Sequence, residues 1–111
     1  MSDLNNVTLV GRLTFDPEIK PTASILICEC SIANNDSKNN ANFIKIKSFG
    51  NTAEKMNSLK KGDRIGVVGR IVQDKWVDQE GKNKSKLSVI GNIITVLDKV
   101  AVNTSSNVSE G

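Results

Sequence analysis

Side chains that alternate every second residue dominate this chain, and helical spacing shows up only once. The clearest run is Asn42-Phe43-Ile44-Lys45-Ile46-Lys47-Ser48-Phe49-Gly50. Successive side chains of a strand point to opposite faces. One face therefore carries Ile44, Ile46 and Ser48, an ordinary core face. The other carries Phe43, Lys45, Lys47 and Phe49. A strand can be buried on both faces, and a Phe is often core. Lysine, however, is almost never fully buried. The face holding Lys45 and Lys47 is therefore expected to be wet, and Phe43 and Phe49 share it. At about 3.3 Å per residue the two rings stand roughly 20 Å apart. Rings that alternate with cations suit single-stranded nucleic acid, where each base has a face to stack and each phosphate needs a counter-charge.

Charge distribution supports the same region. The net charge is only +3, but Lys38 to Lys86 holds 12 Lys and Arg against 5 Asp and Glu, a local +7. The flanking parts are slightly acidic, so the middle of the chain is the electrostatic footprint. With 111 residues there is room for one domain and one small core. A domain of this size gains from association.

The chain contains no histidine, which removes the commonest general base and metal ligand. Cys28 and Cys30 are two apart on a strand-like run, a poor geometry for a disulfide and too few ligands for zinc. They are expected to be small core residues, as suits a reducing cytoplasm. No cofactor and no metal are expected. No apolar run approaches the roughly 20 residues of a membrane span, and Met1 to Asn5 carries no signal-peptide pattern.

In chain order, Asn6 to Thr14 alternates as a first strand, with Gly11 as a bulge or bend. Asp16-Pro17 turns the chain. Phe15 could line a binding surface or fold back on the core, and the core is preferred. Ile25 to Ala33 is a second strand, with Leu26, Cys28, Cys30 and Ile32 inward and Glu29 and Ser31 outward. A polar loop, Asn34 to Ala41, leads into the third strand. After Gly50 the period becomes helical. Asn51-Thr52-Ala53-Glu54 reads as a capped start, Ala53, Met56 and Leu59 share a side, and Gly62 is the expected stop.

Asp63 to Val72 is a fourth strand, curved at Gly66 and Gly69. Asp78-Gln79-Glu80-Gly81 is a hairpin tip. Trp76 lies on the arm leading to it, flanked by Asp74, Lys75 and Asp78, and is expected to be accessible. Lys84 to Leu97 is the fifth strand. Residues 1–98 are thus the expected domain, and 99–111 a short disordered tail. Five curved strands with one short helix between the third and fourth describe an all-β, five-stranded Greek-key barrel, the OB-fold, a platform for oligonucleotides and oligosaccharides.

At this point the residues resemble bacterial-type single-stranded DNA-binding proteins. The matching pieces are Asn6 to Leu13 with Asp16-Pro17-Glu18, Ile32-Ala33, Phe43 to Gly50 with Ala53-Glu54, Lys61-Gly62-Asp63, Gly69-Arg70-Ile71 and Lys75 to Asp78. They follow in family order over residues 5 to 98. The resemblance implies a non-catalytic protein that binds and protects single-stranded DNA in replication, recombination and repair, without reading sequence. It implies a homo-oligomer, dimer or tetramer, in the cytoplasm, with Phe43, Phe49 and Trp76 as stacking rings and Lys45 at a cationic position. The wider pool for phosphate neutralisation is Lys45, Lys47, Arg70, Lys75, Lys82, Lys84 and Lys86.

Three features depart from the family. Lys38 stands where a further aromatic is common, in a shorter loop; Asp74 puts a negative charge near Trp76; and the last residues, Asn107 to Gly111, are not the acidic tip that recruits replication proteins, so that either the sequence is truncated there or this version does not recruit in that way. A compact version of this kind suits a phage or mobile element. These departures keep open an alternative, a primosome-type adaptor that mainly binds a replication protein. An enzyme is not expected.

Overall fold

The computed structural model describes residues 2–20 and 24–100. Its elements run β1 (Val7–Leu13), β2 (Glu18–Lys20), β3 (Ile27–Asn35), β4 (Ala41–Phe49), α1 (Gly50–Asn57), β5 (Arg64–Val77) and β6 (Asn83–Asp98). The sheet order is β1-β5-β6-β4-β3-β2, and a further β1–β3 pairing, Arg12 with Ala33 and Leu13 with Ile32, closes the ring. All pairings are antiparallel except β4 with β6, which is parallel and rests on Ile46 with Val89 and Lys47 with Ile90. The ring is therefore uneven, tightly laddered between β5 and β6 and thinly joined between β4 and β6.

The expected all-β OB-fold with one helix between the β4 and β5 strands is what the chain forms. The strand count differs: there are six, because Glu18–Lys20 pairs with β3 as a short edge strand where the Asp-Pro turn suggested only loop. β1 has already ended at Leu13, and Pro17 stands immediately before β2, leaving the next three residues free to join the ladder, which local turn chemistry cannot reveal.

Alternation delivers the core. Cys28, Cys30 and Ile32 from β3, Ile46 from β4, Ile65 and Val67 from β5 and Ile94 from β6 are buried. The helix closes one end, with Ala53, Met56 and the following Leu59 buried against the strands. Ser48 Oγ reaches Met56 Sδ at 3.4 Å, so the one polar inward residue of β4 meets the helix. The helix begins one residue before the expected cap. Phe49 occupies the N-cap without a side-chain hydrogen bond, and Asn51 is already helical. It stops at Asn57, with Ser58 Oγ donating to the Lys55 carbonyl at 2.7 Å. Gly62, expected as its stop, lies beyond it in the turn into β5 with φ 93°. Phe15, preferred for the core, is exposed.

Two glycines mark where strands press together. A Cβ on Gly69 would sit 1.8 Å from the Ile90 carbonyl oxygen, at the register shift between Val68 and Gly69. A Cβ on Gly11 would sit 2.7 Å from the Ala33 carbonyl oxygen, where β1 leaves β5 for β3. The bulge at Gly69 bends β5 and increases its twist. Gly66, also read as a bend, has only ordinary contacts around it. Past the bulge, β5 continues to Val77 in unbroken register with β6, forming one long hairpin arm. Of the expected tail, 101–111 lie outside the described residues, while the Val100 N–H donates to Asp63 Oδ1 at 2.8 Å.

Candidate nucleic-acid interface

β4 sorts its side chains as its alternation requires. Ile46 and Ser48 are buried, whereas Phe43 is 71% exposed and Lys45, Lys47 and Phe49 are half-buried on the opposite face. The β3–β4 register sets Glu29 opposite Lys47 and Ser31 opposite Lys45. The ion pairs do not follow that register. Lys45 Nζ reaches diagonally to Glu29 Oε1 at 2.9 Å. Lys47 Nζ turns away from β3 to Asp74 Oδ2 on β5 at 3.0 Å. Ser88 Oγ of β6 donates to the same Asp74 oxygen at 2.9 Å.

Asp74 therefore ties the hairpin arm to β4. Its carboxyl is held below the ordinary carboxylate range, first by the Lys47 hydrogen bond and then by Ser88. Lys86 faces Asp74 across the β5–β6 ladder and lies beside Lys45. Its ammonium is pulled below the usual lysine value, first by the side-chain contact with Lys45 and then by that group's charge. Lys45 shifts the other way, raised above all by Glu29. Three ammonium groups thus crowd onto two carboxylates, and the Lys45–Lys86 repulsion is only partly relieved. A further anion placed there would relieve it.

Trp76 lies two residues beyond Asp74 on the same side of β5 and is 45% exposed. Lys86 Nζ sits 5.9 Å from its ring centroid, at the outer reach of a cation–π attraction. Phe43 stands at the other side of the cluster, beside a shallow, mainly apolar hollow of about 300 Å³ that Ile71, Leu87 and Val89 also line. Two accessible rings and three lysines therefore share one continuous surface across β4, β5 and β6.

The remaining candidates are more dispersed. Phe49 closes the far end of β4, paired in register with Ile27 and half-buried. Lys84 pairs with Trp76 in register and reaches Asp78 at 3.9 Å, and Lys82 reaches Glu80 at 3.9 Å, both near the hairpin tip. Lys75 alternates with Trp76 along the arm, yet both line a hollow of about 440 Å³ together with Gln73, Val77, Asn83 and Lys84. Arg70 is exposed on β5 opposite Ile90 and joins none of these ion pairs. Sequence reading placed Asp74 near Trp76 but did not link either Glu29 or Asp74 to a lysine. Glu29 on an outer strand face was the available signal; the partner depended on side-chain reach across the sheet.

Elsewhere the chemistry is quiet. Cys28 and Cys30 are free and buried, and burial pushes the Cys30 thiol up to about 12, far from a reactive thiolate. Among the described residues no group of three His, Cys, Asp or Glu could hold a metal ion, and no helix is long and apolar enough to cross a membrane.

Residues 4–97 match the single-strand binding protein family. This chain belongs to that family. Among relatives, it is 38% identical over 105 residues to the single-stranded DNA-binding protein of Wolinella succinogenes, covering 85% of this chain and 64% of the relative. It is 36% identical over 109 residues to the protein of the same name from Treponema pallidum, covering 90% and 61%. With the single-stranded DNA-binding protein 1 of Streptococcus pyogenes it shares 33% identity, covering 93% and 87%. The chain thus spans somewhat less than two thirds of the first two relatives, and most of the third. The matched span includes every strand but for the last residue of β6.

Proposed function

We propose that this chain binds single-stranded DNA without catalysis and without sequence preference, protecting it in replication, recombination and repair. The observation that carries the reading is the shared surface of Phe43 and Trp76 with Lys45, Lys47 and Lys86 between them. Bases stack on the rings, each contact worth about 1–3 kcal/mol, and the lysines meet phosphates. Phe49 extends the stacking line along β4, while Lys75, Lys82, Lys84 and Arg70 supply longer-range attraction from the arm and from β5. The binding unit is residues 1–98. Family membership and the names of the relatives support the ligand. Free buried thiols support a cytoplasmic setting.

The protein acts as a homo-oligomer in this reading. Val68, Ile93 and Leu97 are exposed on one outer side of β5 and β6; Val68 pairs with Ile93, and Leu97 lies over Gly66. An apolar strip of this kind is a natural contact between copies. Sedimentation should report a dimer or tetramer.

Trp76 is the only tryptophan, so its fluorescence reports directly on the surface. Titration with oligo-thymidine of several tens of bases should quench it strongly at low and at high salt. Binding seen by another method without quenching would remove Trp76 from the interface. Absence of binding at either salt would overturn the proposal.

A further inference from the structure

Lys45 and Lys47 are not waiting for phosphate with empty hands. Each already holds a carboxylate at short range, Glu29 at 2.9 Å and Asp74 at 3.0 Å. These acids are not surface charges caught in passing. The Glu29 side chain is only 15% exposed, lying along β3 beneath Lys45. Asp74 is fixed twice, by Lys47 and by Ser88 Oγ, both on its Oδ2. Each carboxylate holds the ammonium group that a phosphate of a bound strand would need, Glu29 from β3 on one side of β4 and Asp74 from β5 on the other.

We propose that Glu29 and Asp74 are built-in competitors for the phosphate backbone, neutralising Lys45 and Lys47 in the free protein so that strand binding is an exchange of anions rather than a simple gain of them. The inference rests on the DNA-binding reading of this face. Its physical basis is counterion accounting. A free lysine that meets a phosphate releases the cation condensed on that phosphate, and the release drives binding at low salt. A lysine that must first leave a carboxylate gives no such net gain, because the vacated carboxylate takes up a cation in turn. The face then binds more weakly and responds less to salt than its lysine count implies. The stacking rings carry a larger share, and strands come off more readily. Lys86, which crowds Lys45 and has no carboxylate within ion-pair distance among the described residues, is the one cluster lysine ready to meet a phosphate directly.

The test compares Glu29→Gln, Asp74→Asn and the double variant with the wild type, by Trp76 fluorescence titration with oligo-thymidine over a range of salt. Both substitutions keep side-chain shape. The double variant should bind about tenfold more tightly at low salt, with the log–log salt slope steeper by about 1.4, from about 0.7 per lysine released. Should the double variant fail to fold, as judged by its melting, Asp74→Asn alone should steepen the slope by about 0.7. Glu80→Gln, which removes an exposed acid 3.9 Å from Lys82 near the hairpin tip, separates this exchange from a general change in net charge and should leave the slope within error. Equal effects of Glu80→Gln and Asp74→Asn would overturn the proposal, as would slopes unchanged in all variants while Phe43→Ala still weakens binding. Failure of the wild type itself to bind would overturn the DNA-binding reading, and this inference with it.

Discussion

The lysines of the barrel face and those of the hairpin tip are the same residue, each set beside acids, yet they behave as different devices. On the barrel face Lys45 and Lys47 are 37% and 21% exposed and hold their carboxylates at 2.9 and 3.0 Å. Near the tip Lys82 and Lys84 are 69% and 49% exposed and stand 3.9 Å from theirs. Exposed pairs at that distance contribute little, because water screens them and long side chains resist confinement. Half-buried pairs are stronger and set where the charge is. The difference comes from the neighbours. Strands flank the barrel-face lysines on both sides, with acids projecting at fixed register, whereas the tip is a turn organised by its backbone. There Asp78 Oδ1 accepts the N–H groups of Glu80 and Lys82, each at 2.9 Å, and Gly81 takes a φ of 81°. Charge on the barrel face is thus positioned, and charge at the tip is merely present.

The comparison breaks most severely if the two regions are uncoupled. Gly69→Ala places a methyl group into the Ile90 carbonyl, at the bulge from which the arm departs. We expect a loss of about 3 kcal/mol or more, since neither backbone can withdraw without opening the ladder. Thermal melting should fall by about 15 °C.

Next in size is the removal of a ring. Phe43→Ala and Trp76→Ala should each weaken oligo-thymidine binding by about 1–3 kcal/mol, and most of that loss should persist at high salt. Lys45→Ala should cost less than Phe43→Ala under those conditions, when charge is screened. The reverse order, measured by fluorescence anisotropy, would show that the surface works by charge first.

Smaller effects sharpen the contrast between the two sets of lysines. At low salt Lys45→Ala should weaken binding about tenfold, because it also leaves Glu29 unpaired in the path of the strand. Lys84→Ala should cost about threefold or less, as for an exposed charge acting at a distance. Equal losses would mean that the two sets of lysines act alike.

The smallest expected effect is on acid stability. Asp74 has its carboxyl held low in the folded protein by Lys47 and Ser88. A depressed value means stabilisation that is present at neutral pH and is lost as pH falls through the ordinary carboxylate range and below. Asp36 behaves alike, its carboxyl held low by the N–H groups of Asn40 and Lys38. Asp74→Asn should therefore flatten the fall in urea midpoint on acidification, while the Asp36 share remains.

What the sequence determined by itself was the sorting of side chains along each strand. Period-two alternation placed Ile46 and Ser48 inside, Phe43, Lys45 and Lys47 outside, and both cysteines in the core. Spacing of Ala53, Met56 and Leu59 found the helix face, although its cap and stop were misplaced, because Phe49 starts it with no side-chain hydrogen bond and Ser58, rather than a glycine, ends it through its Oγ on the Lys55 carbonyl. The third residue type on the face, the acids, escaped for a different reason. Which strands lie side by side, and at what register, depends on closure of the whole ring; so does how far a side chain must reach to find its partner. Lys47 ignores the glutamate directly across from it and binds Asp74, 27 residues away along the chain. β2 escaped likewise, since three residues after a proline become a strand only when β3 offers an open edge. Periodicity is a property of one strand and is written locally. Charge neutralisation is a property of several strands brought together, and only the closed sheet decides it.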